Sequence, residues 1–537
     1  MEQVVITLND FLFNAGILGF YRILKITGKE NLVEIRGNTL YIEPEVFQNF
    51  EEDYINAMME HFEKDTRWYK ITSTEKIEWI KKLDLQKKEE TEKLEEQIKE
   101  IKKIIESASY KSGLEIIRKE KQTDDPNEYL KQIKIEKDSQ IKRKYLLAII
   151  EHLKNNKEVY CMKDIIYNKI NVFWENVAFL NTQANKNNMQ QEYKKAFVDS
   201  VGSYLEKSKK AEYNCIECGN YIGKSEARGL AFLKDVGTDE KRKKSAFWNF
   251  NEDAFVCPIC SLIYSCTPIG FTMVGSNAIF INNNESFKIL EQHNAANTLQ
   301  IEQDTDNFEK LYSKVLKNYI NRADFEADRN MEKYEPENIQ VIKRVGSKDA
   351  QKYEINIIAT DKLEIFKRTK EHLRNIVATG YYTEVADNIL TGKNQFRMLA
   401  RMFQNEEKRN CVREILMIQI KSKGGKNVKE QEALLKQMID IGESLKKSFF
   451  VEGENENKLK SYSYKLQRAI QSNNINDFRK LFVAFYGGMG RAIPSNEAVK
   501  QIFTCSNIER FKALGYAYVY GIEKYPEKRE GGKEDEK

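Results

Sequence analysis

The chain has very little histidine. Only four of its 537 residues are imidazoles, His61, His152, His293 and His372, and they are scattered. A histidine-based active site therefore has little to draw on; His293, in EQHNAAN, stands without a partner motif and reads as a surface or capping residue. Long apolar runs are missing too. The run from Phe11 to Leu24 falls short of the roughly 20 residues that cross a bilayer, and no basic leader or small-residue cleavage site accompanies it. The expectation is a cytoplasmic protein with no membrane segment. Charge of one sign is also lacking: 87 Lys and Arg against 82 Asp and Glu leave +5. That balance neither demands nor excludes nucleic acid, because a local basic face counts for more than the total. No repeat recurs at solenoid spacing. KSKGGKN (421–427) lacks the G-x-x-x-x-G-K-[ST] spacing and follows no strand, which argues against nucleotide hydrolysis. Neither clustered carboxylates nor a Ser-His-Asp or Cys-His arrangement stands out. These absences point to a binding subunit and not to an enzyme.

What is present divides along the chain. The length calls for about two to four domains. Residues 1–60 read as mixed structure. An amphipathic helix is expected to start near Asn9 or Asp10, either of which would cap it, and LVEIRGNTLYIEP (32–44) reads as a hairpin turning at Gly37-Asn38. From about Ser73 to Lys144 the composition shifts to Lys, Glu and Ile. There Leu94, Ile98, Ile101 and Ile105 predict a long helix whose coiled-coil-like seam packs on its own chain, since too few heptads follow for a dimer. A further helical stretch is expected from about Asp164 to Lys210. Strands are expected in PIGFTMVGSNAIFINNN (268–284) and a second hairpin in NIQVIKRVGSKDAQKYEINIIA (338–359). From about Leu363 to Glu523 the pattern is helical, with Leu434, Met438, Ile441 and Leu445 marking one core-facing stripe.

Eight cysteines occur, and four of them form two Cys-x-x-Cys pairs: Cys215 and Cys218 in AEYNCIECGNY, Cys257 and Cys260 in DAFVCPICSLIY. The 38 residues from 219 through 256 separate them. Two such turns supply the four thiolates of a tetrahedral zinc site. Four thiolates leave no open position, so the zinc is expected to be structural. Tyr213, Tyr221, Phe255, Val256 and Ile263 suit short strands around a zinc ribbon, and the long spacer must be an insertion that folds away from the metal. Cys266 is near enough to substitute as a ligand but reads better as a buried spare thiol.

The insertion carries DEKRKKSAFWNF (239–250). Lys241, Arg242, Lys243 and Lys244 precede Phe247, Trp248 and Phe250, the pairing of cations and aromatics that a nucleic-acid contact uses; a solvated loop beside packed aromatics explains it as well. Lys421, Lys423 and Lys426 in KSKGGKN, and Arg491 in YGGMGRAIPS, are further candidates for a phosphate backbone, against plain helix connectors. The expected fold class is α+β: a mixed N-terminal body (1–210), an inserted four-cysteine zinc ribbon (211–267), a continuation of the body (268–384), an all-α C-terminal helical bundle (385–524) and a disordered tail (525–537).

Three stretches together, LNDFLFNAGILGFYRIL, the knuckles CIEC and CPIC with their spacer, and FKALGYAYVYGIE, resemble the CXXC–CXXC type large subunit of a type I-B CRISPR Cascade complex. The resemblance implies CRISPR antiviral defence. Such a subunit sits in a guide-RNA ribonucleoprotein beside the 5′-handle, backbone and small subunits. It reads the protospacer-adjacent motif in target double-stranded DNA, aids unwinding and recruits a helicase-nuclease, while guide pairing reads the rest of the sequence. The metal ligands carry over to Cys215, Cys218, Cys257 and Cys260; the motif-reading residues do not. It also implies a C-terminal bundle like the complex's small subunit, which an internal start near Met398, Met402 or Met417 would make separately. A tagged expression blot with only a full-length band rules that out. The rival readings are a stand-alone nucleic-acid-processing enzyme with an accessory zinc ribbon, and a purely structural assembly factor.

Overall fold

The computed structural model describes residues 3–120, 124–206, 212–235, 254–295, 339–347, 350–358, 360–376, 379–403, 411–424, 427–451 and 456–523. They form two compact units: the described residues of Met1–Leu311 with Ile339–Ile355, and those of Asn356–Lys537. The architecture is α+β, with strands in the first unit and a wholly helical stretch at the C-terminal end. Among the described residues no helix is long and apolar enough to cross a membrane.

The first unit opens with β1 (Val4–Thr7), α1 (Phe11–Ile26), β2 (Val33–Arg36) and β3 (Thr39–Ile42), the strands pairing antiparallel in the order β1-β3-β2. Gly37 turns the β2–β3 hairpin at φ +60 with Arg36 opposite Thr39, the Gly-first geometry of a two-residue hairpin loop. Asp10 caps α1, its Oδ1 accepting from the Leu12 and Phe13 N–H groups at 2.7 and 3.1 Å. The helix is less amphipathic than its sequence promised: every residue from Leu12 to Phe20 is buried, the mark of a helix surrounded by protein.

Its neighbours explain why. Two later helices, α12 (Pro258–Ser265) and α13 (Thr267–Gly270), lie against α1 so closely that a Cβ at Gly16 would stand 2.6 Å from the Ile263 carbonyl. One at Gly19 would overlap the Cys266 carbonyl, and one at Gly270 that of Ala15. Glycine is required at all three because backbone meets backbone. Arg22 finishes the contact, donating to the Ile269 and Gly270 carbonyls at 2.8 and 2.9 Å.

The lysine- and glutamate-rich stretch is not one long helix. After α2 (Phe50–Phe62) and α3 (Arg67–Thr72) it breaks into α4 (Thr74–Lys82), α5 (Lys88–Ile105), α6 (Ala108–Glu120), α7 (Pro126–Ile135) and α8 (Ser139–Asn155). The breaks have local causes: Ser73, Asp125 and Asp138 accept from helix-start N–H groups, and Pro126 stands in the first turn of α7. The expected seam is real, since Leu94, Ile98, Ile101 and Ile105 are all buried. It is spent within the chain, on α6, α7 and α8.

The stretch expected to be helical from Asp164 to Lys210 is also interrupted. α9 (Lys157–Asn168) ends, and helix resumes only at α10 (Met189–Tyr193), passing through one π-helical turn into α11 (Asp199–Glu206). Between them Asn176 and Ala178 take positive φ and Trp174 is wholly buried, so tertiary packing overrides helical propensity. The strands β4 (Tyr213–Asn214) and β5 (Tyr221–Ile222) follow, and then α12 and α13. A four-stranded sheet comes next, β6 (Thr272–Val274), β7 (Asn277–Asn282), β8 (Ile339–Ser347) and β9 (Ala350–Ile358) in that order, with α14 (Phe287–Ala295) against β7. His293, expected at the surface, is buried on α14.

The second unit contains α15 (Thr360–Ile376), α16 (Tyr382–Leu390), α17 (Phe396–Met402), α18 (Val412–Lys423), α19 (Val428–Val451), α20 (Glu456–Gln471), α21 (Ile475–Gly488), α22 (Glu497–Thr504) and α23 (Ile508–Glu523). α23 is the hub, packed against α17, α18, α19, α20 and α22. Leu434, Met438, Ile441 and Leu445 are buried as their spacing predicts. Gly442 and Gly521 let α19 and α23 cross backbone on backbone, a Cβ at Gly521 overlapping the Ile439 carbonyl.

Candidate metal centre

The first knuckle is a tight turn between β4 and β5. Cys215 N–H donates to the Asn220 carbonyl at 2.8 Å and Gly219 N–H to the Cys215 carbonyl at 2.9 Å, with Gly219 in the left-handed region at φ +71. The second is built differently. Cys257 is the N-cap of α12, its Sγ accepting from Cys260 N–H at 3.4 Å, and Pro258 begins the helix. Ile263, expected on a ribbon strand, therefore lies inside a helix. Of the second knuckle's flanks only Val256 makes a bridge, with Arg228, while Tyr213 packs its ring on Phe255 at 4.9 Å between centroids.

The fold brings the four thiols together from 42 residues apart, Cys215 to Cys257. Their Sγ atoms lie within 4.8 Å of one another, and Cys218 Sγ is 3.8 Å from Cys257 Sγ. A tetrahedral ion with bonds of about 2.3 Å requires edges of about 3.8 Å, so the donor set fits a thiolate-bound metal. None of the eight cysteines is in a disulfide. Cys257 N–H donates to Cys215 Sγ at 3.3 Å, and the N-terminus of α12 favours negative charge beside it.

Protonation is shared unevenly across the cluster. Hydrogen bonding, first from Cys218, pulls the Cys215 thiol far below the ordinary range, while the bond to Cys215 comes first in pushing Cys257 and Cys260 up. Four thiols this close cannot all ionise on their own; a bound dication removes the conflict. Cys266 is not part of the group. Its thiol is buried, donates to the Leu262 carbonyl at 3.4 Å and is pushed up by burial.

Around the ligands lies a polar layer that sequence reading missed. Glu217, between the first two cysteines, accepts from Tyr264 OH at 2.6 Å and from Asn9 Nδ2 at 2.9 Å. Tyr264 OH also lies 3.3 Å from Asp10 Oδ2, so the residue that caps α1 is tied to both knuckles. Burial raises the Glu217 carboxyl. The available signal was a carboxylate flanked by two thiolates, which needs donors if it is covered.

Of the basic candidates, Lys421, Lys423 and Arg491 fall within the described residues. Lys241, Arg242, Lys243, Lys244, Trp248 and Lys426 lie outside the described residues. Lys421 and Lys423 sit in the last turn of α18, paired with Glu432 at 3.4 Å and with Glu509. Arg491, in the loop after α21, lines a separate cavity of about 490 Å³ beside Asp440 and Tyr486.

The geometry brings four cysteine thiols close enough to hold a metal ion together. Residues 208–272, which span both knuckles, α12 and α13, match the sequence model of a family described as CRISPR-associated protein (Cas_CXXC_CXXC). That match supports a CRISPR-associated protein with a role in CRISPR defence. No curated protein and no solved structure matches the chain.

Proposed function

We propose that this chain is the large, non-catalytic subunit of an RNA-guided Cascade complex of type I-B. In this role it recognises a short protospacer-adjacent motif in double-stranded DNA, assists its opening and recruits a helicase-nuclease. The observation that carries the reading is the closed four-thiol centre inside the segment that matches the CRISPR-associated family. The ion proposed there is zinc, which suits four thiolates. Its part is to hold β4, β5 and α12 on the start of α1 through Glu217, Tyr264 and Asp10. Guide pairing supplies most of the sequence information in such systems, so the protein needs only a small reading surface.

The test is purification of a tagged copy from its native cell. Metal analysis should return one zinc per chain. Co-purifying RNA of repeat–spacer form, with backbone subunits in several copies, supports the reading; a lone chain without RNA overturns it. Metal-dependent DNA cleavage by the purified chain would point to the stand-alone enzyme instead.

A further inference from the structure

The helical unit holds a cavity of about 420 Å³ between α17, α18, α19, α22 and α23, within the size range of small-molecule sites. Its floor is apolar: Phe396, Ile420, Leu434 and Leu514. Four carboxamides line it, Gln419, Gln431, Gln501 and Asn507. Gln419 is only 5% exposed; its Oε1 accepts from Gln395 N–H at 2.6 Å, and among the described residues its Nε2 has no partner. Gln419 lines this cavity and also a second one of about 160 Å³. Two cations complete the lining. Lys423 pairs with Glu509. Arg510 meets Glu430 only at 3.8 Å and keeps its Nε unpartnered. Ser506 and Asn507, just before α23, also line the cavity, and Asn507 Oδ1 accepts from the Glu509 and Arg510 N–H groups at 3.0 Å each.

Each part selects a kind of ligand. An aromatic and aliphatic floor takes a flat ring. Carboxamides offer both donors and acceptors, which match the edge of a nitrogen heterocycle. Lys423 and Arg510 favour a phosphate, and the Glu509 carboxylate can accept from a sugar hydroxyl. We infer that this cavity is a binding site for a nucleoside phosphate, taken either free or as one unstacked nucleotide of a strand. It uses Lys423, one of the lysines read from the sequence, but with partners that lie as far along the chain as Arg510. The inference does not depend on the metal centre or on the Cascade reading.

The test is calorimetric titration of the full-length protein with AMP, GMP, CMP and UMP, with inorganic phosphate, and with a short single strand. At least one nucleotide is expected to bind more than about tenfold tighter than phosphate, because the floor and carboxamides contribute only to the nucleotide. Gln431→Leu and Arg510→Gln should each weaken it by about tenfold, while Lys465→Ala on α20 should leave it unchanged; unaltered circular-dichroism melting shows that the variants fold. A strand that binds tighter than every mononucleotide, and loses affinity in the same two variants, assigns the site to nucleic acid. A mononucleotide that binds as well as the strand assigns it to a free ligand. The inference is overturned if no probe binds, if phosphate alone binds as tightly, or if neither variant weakens binding.

Discussion

Two helix crossings, one in each unit, bring backbone onto backbone. In the first, Gly16, Gly19 and Gly270 seat α1 against α12 and α13; in the second, Gly442 and Gly521 seat α19 against α23. The supports differ. The α1 crossing is fastened at one end by Asp10, Tyr264 and Glu217, which lead directly to the thiols. Near the α23 crossing the surroundings are aromatic: Tyr518 lies 4.9 Å from Phe482 between ring centroids, and Tyr462 stacks on Phe485 at 3.7 Å. A close helix contact can thus be secured by a polar layer beside a cluster of thiols or by aromatic area, and only the first should depend on metal.

The largest effect expected from this contrast is metal removal. Chelation, or Cys257→Ser, should cost the first unit at least about 5 kcal/mol, since ligand binding to such a site is folding energy. Hydrogen exchange read by mass spectrometry should rise in α1, α12 and α13 and stay constant in α19 and α23. Equal loss of protection in both would break the comparison.

Next come the glycines. Gly19→Val and Gly521→Val each force a side chain into a backbone carbonyl, at a cost of about 3 kcal/mol or more. Chemical denaturation should show both to be destabilised; if the four thiols hold a metal, only Gly19→Val should also weaken its retention against a chelator.

A titration sharpens the picture within the first unit. Lys163 is fully buried on α9 with the Asn185 carbonyl as its partner, and burial lowers it to about 8. The unfolded chain holds that proton to a higher pH than the fold does, so this lysine costs stability at pH 7. The cost falls as pH rises from about 8 toward the unfolded value near 10.4. Lys163→Met should therefore be more stable than the parent at pH 7 by about 2 kcal/mol, with the gap narrowing by pH 10 in paired urea melts.

The smallest effect is expected at Tyr264→Phe. It leaves Glu217 Oε1 without its donor and should cost about 1–2 kcal/mol. A metal held by the proposed four-thiol site should still bind, but be lost faster.

Much of this was legible in the chain itself. The cap at Asp10, the Gly37 hairpin and the stripes at Leu94–Ile105 and Leu434–Leu445 follow from local rules of capping, turn geometry and periodicity. The two Cys-x-x-Cys pairs named the four thiols that the fold brings together. The helix breaks at Asp125-Pro126 and Asp138 were written there too, and were overridden in reading by a uniform Lys/Glu/Ile composition. The helical second knuckle was harder: FVCPICSLIY is apolar and β-branched enough for a strand, and only the Cys257 cap with Pro258 in the first turn marks a helix start.

Other features had no local signal. The Glu217–Tyr264–Asp10 layer joins residues that only the folded chain makes neighbours, and so does the cavity of Gln419, Gln431, Lys423 and Arg510. Taken alone, the sequence determined the four candidate thiols, the α+β class and the faces of the main helices, because these depend on residue type and spacing within a few turns. Tertiary structure decided that α1 is enclosed, that the long charged segment folds back on itself and which polar groups face a common space. Burial and long-range contact set those outcomes, and neither has a period that can be read along the chain.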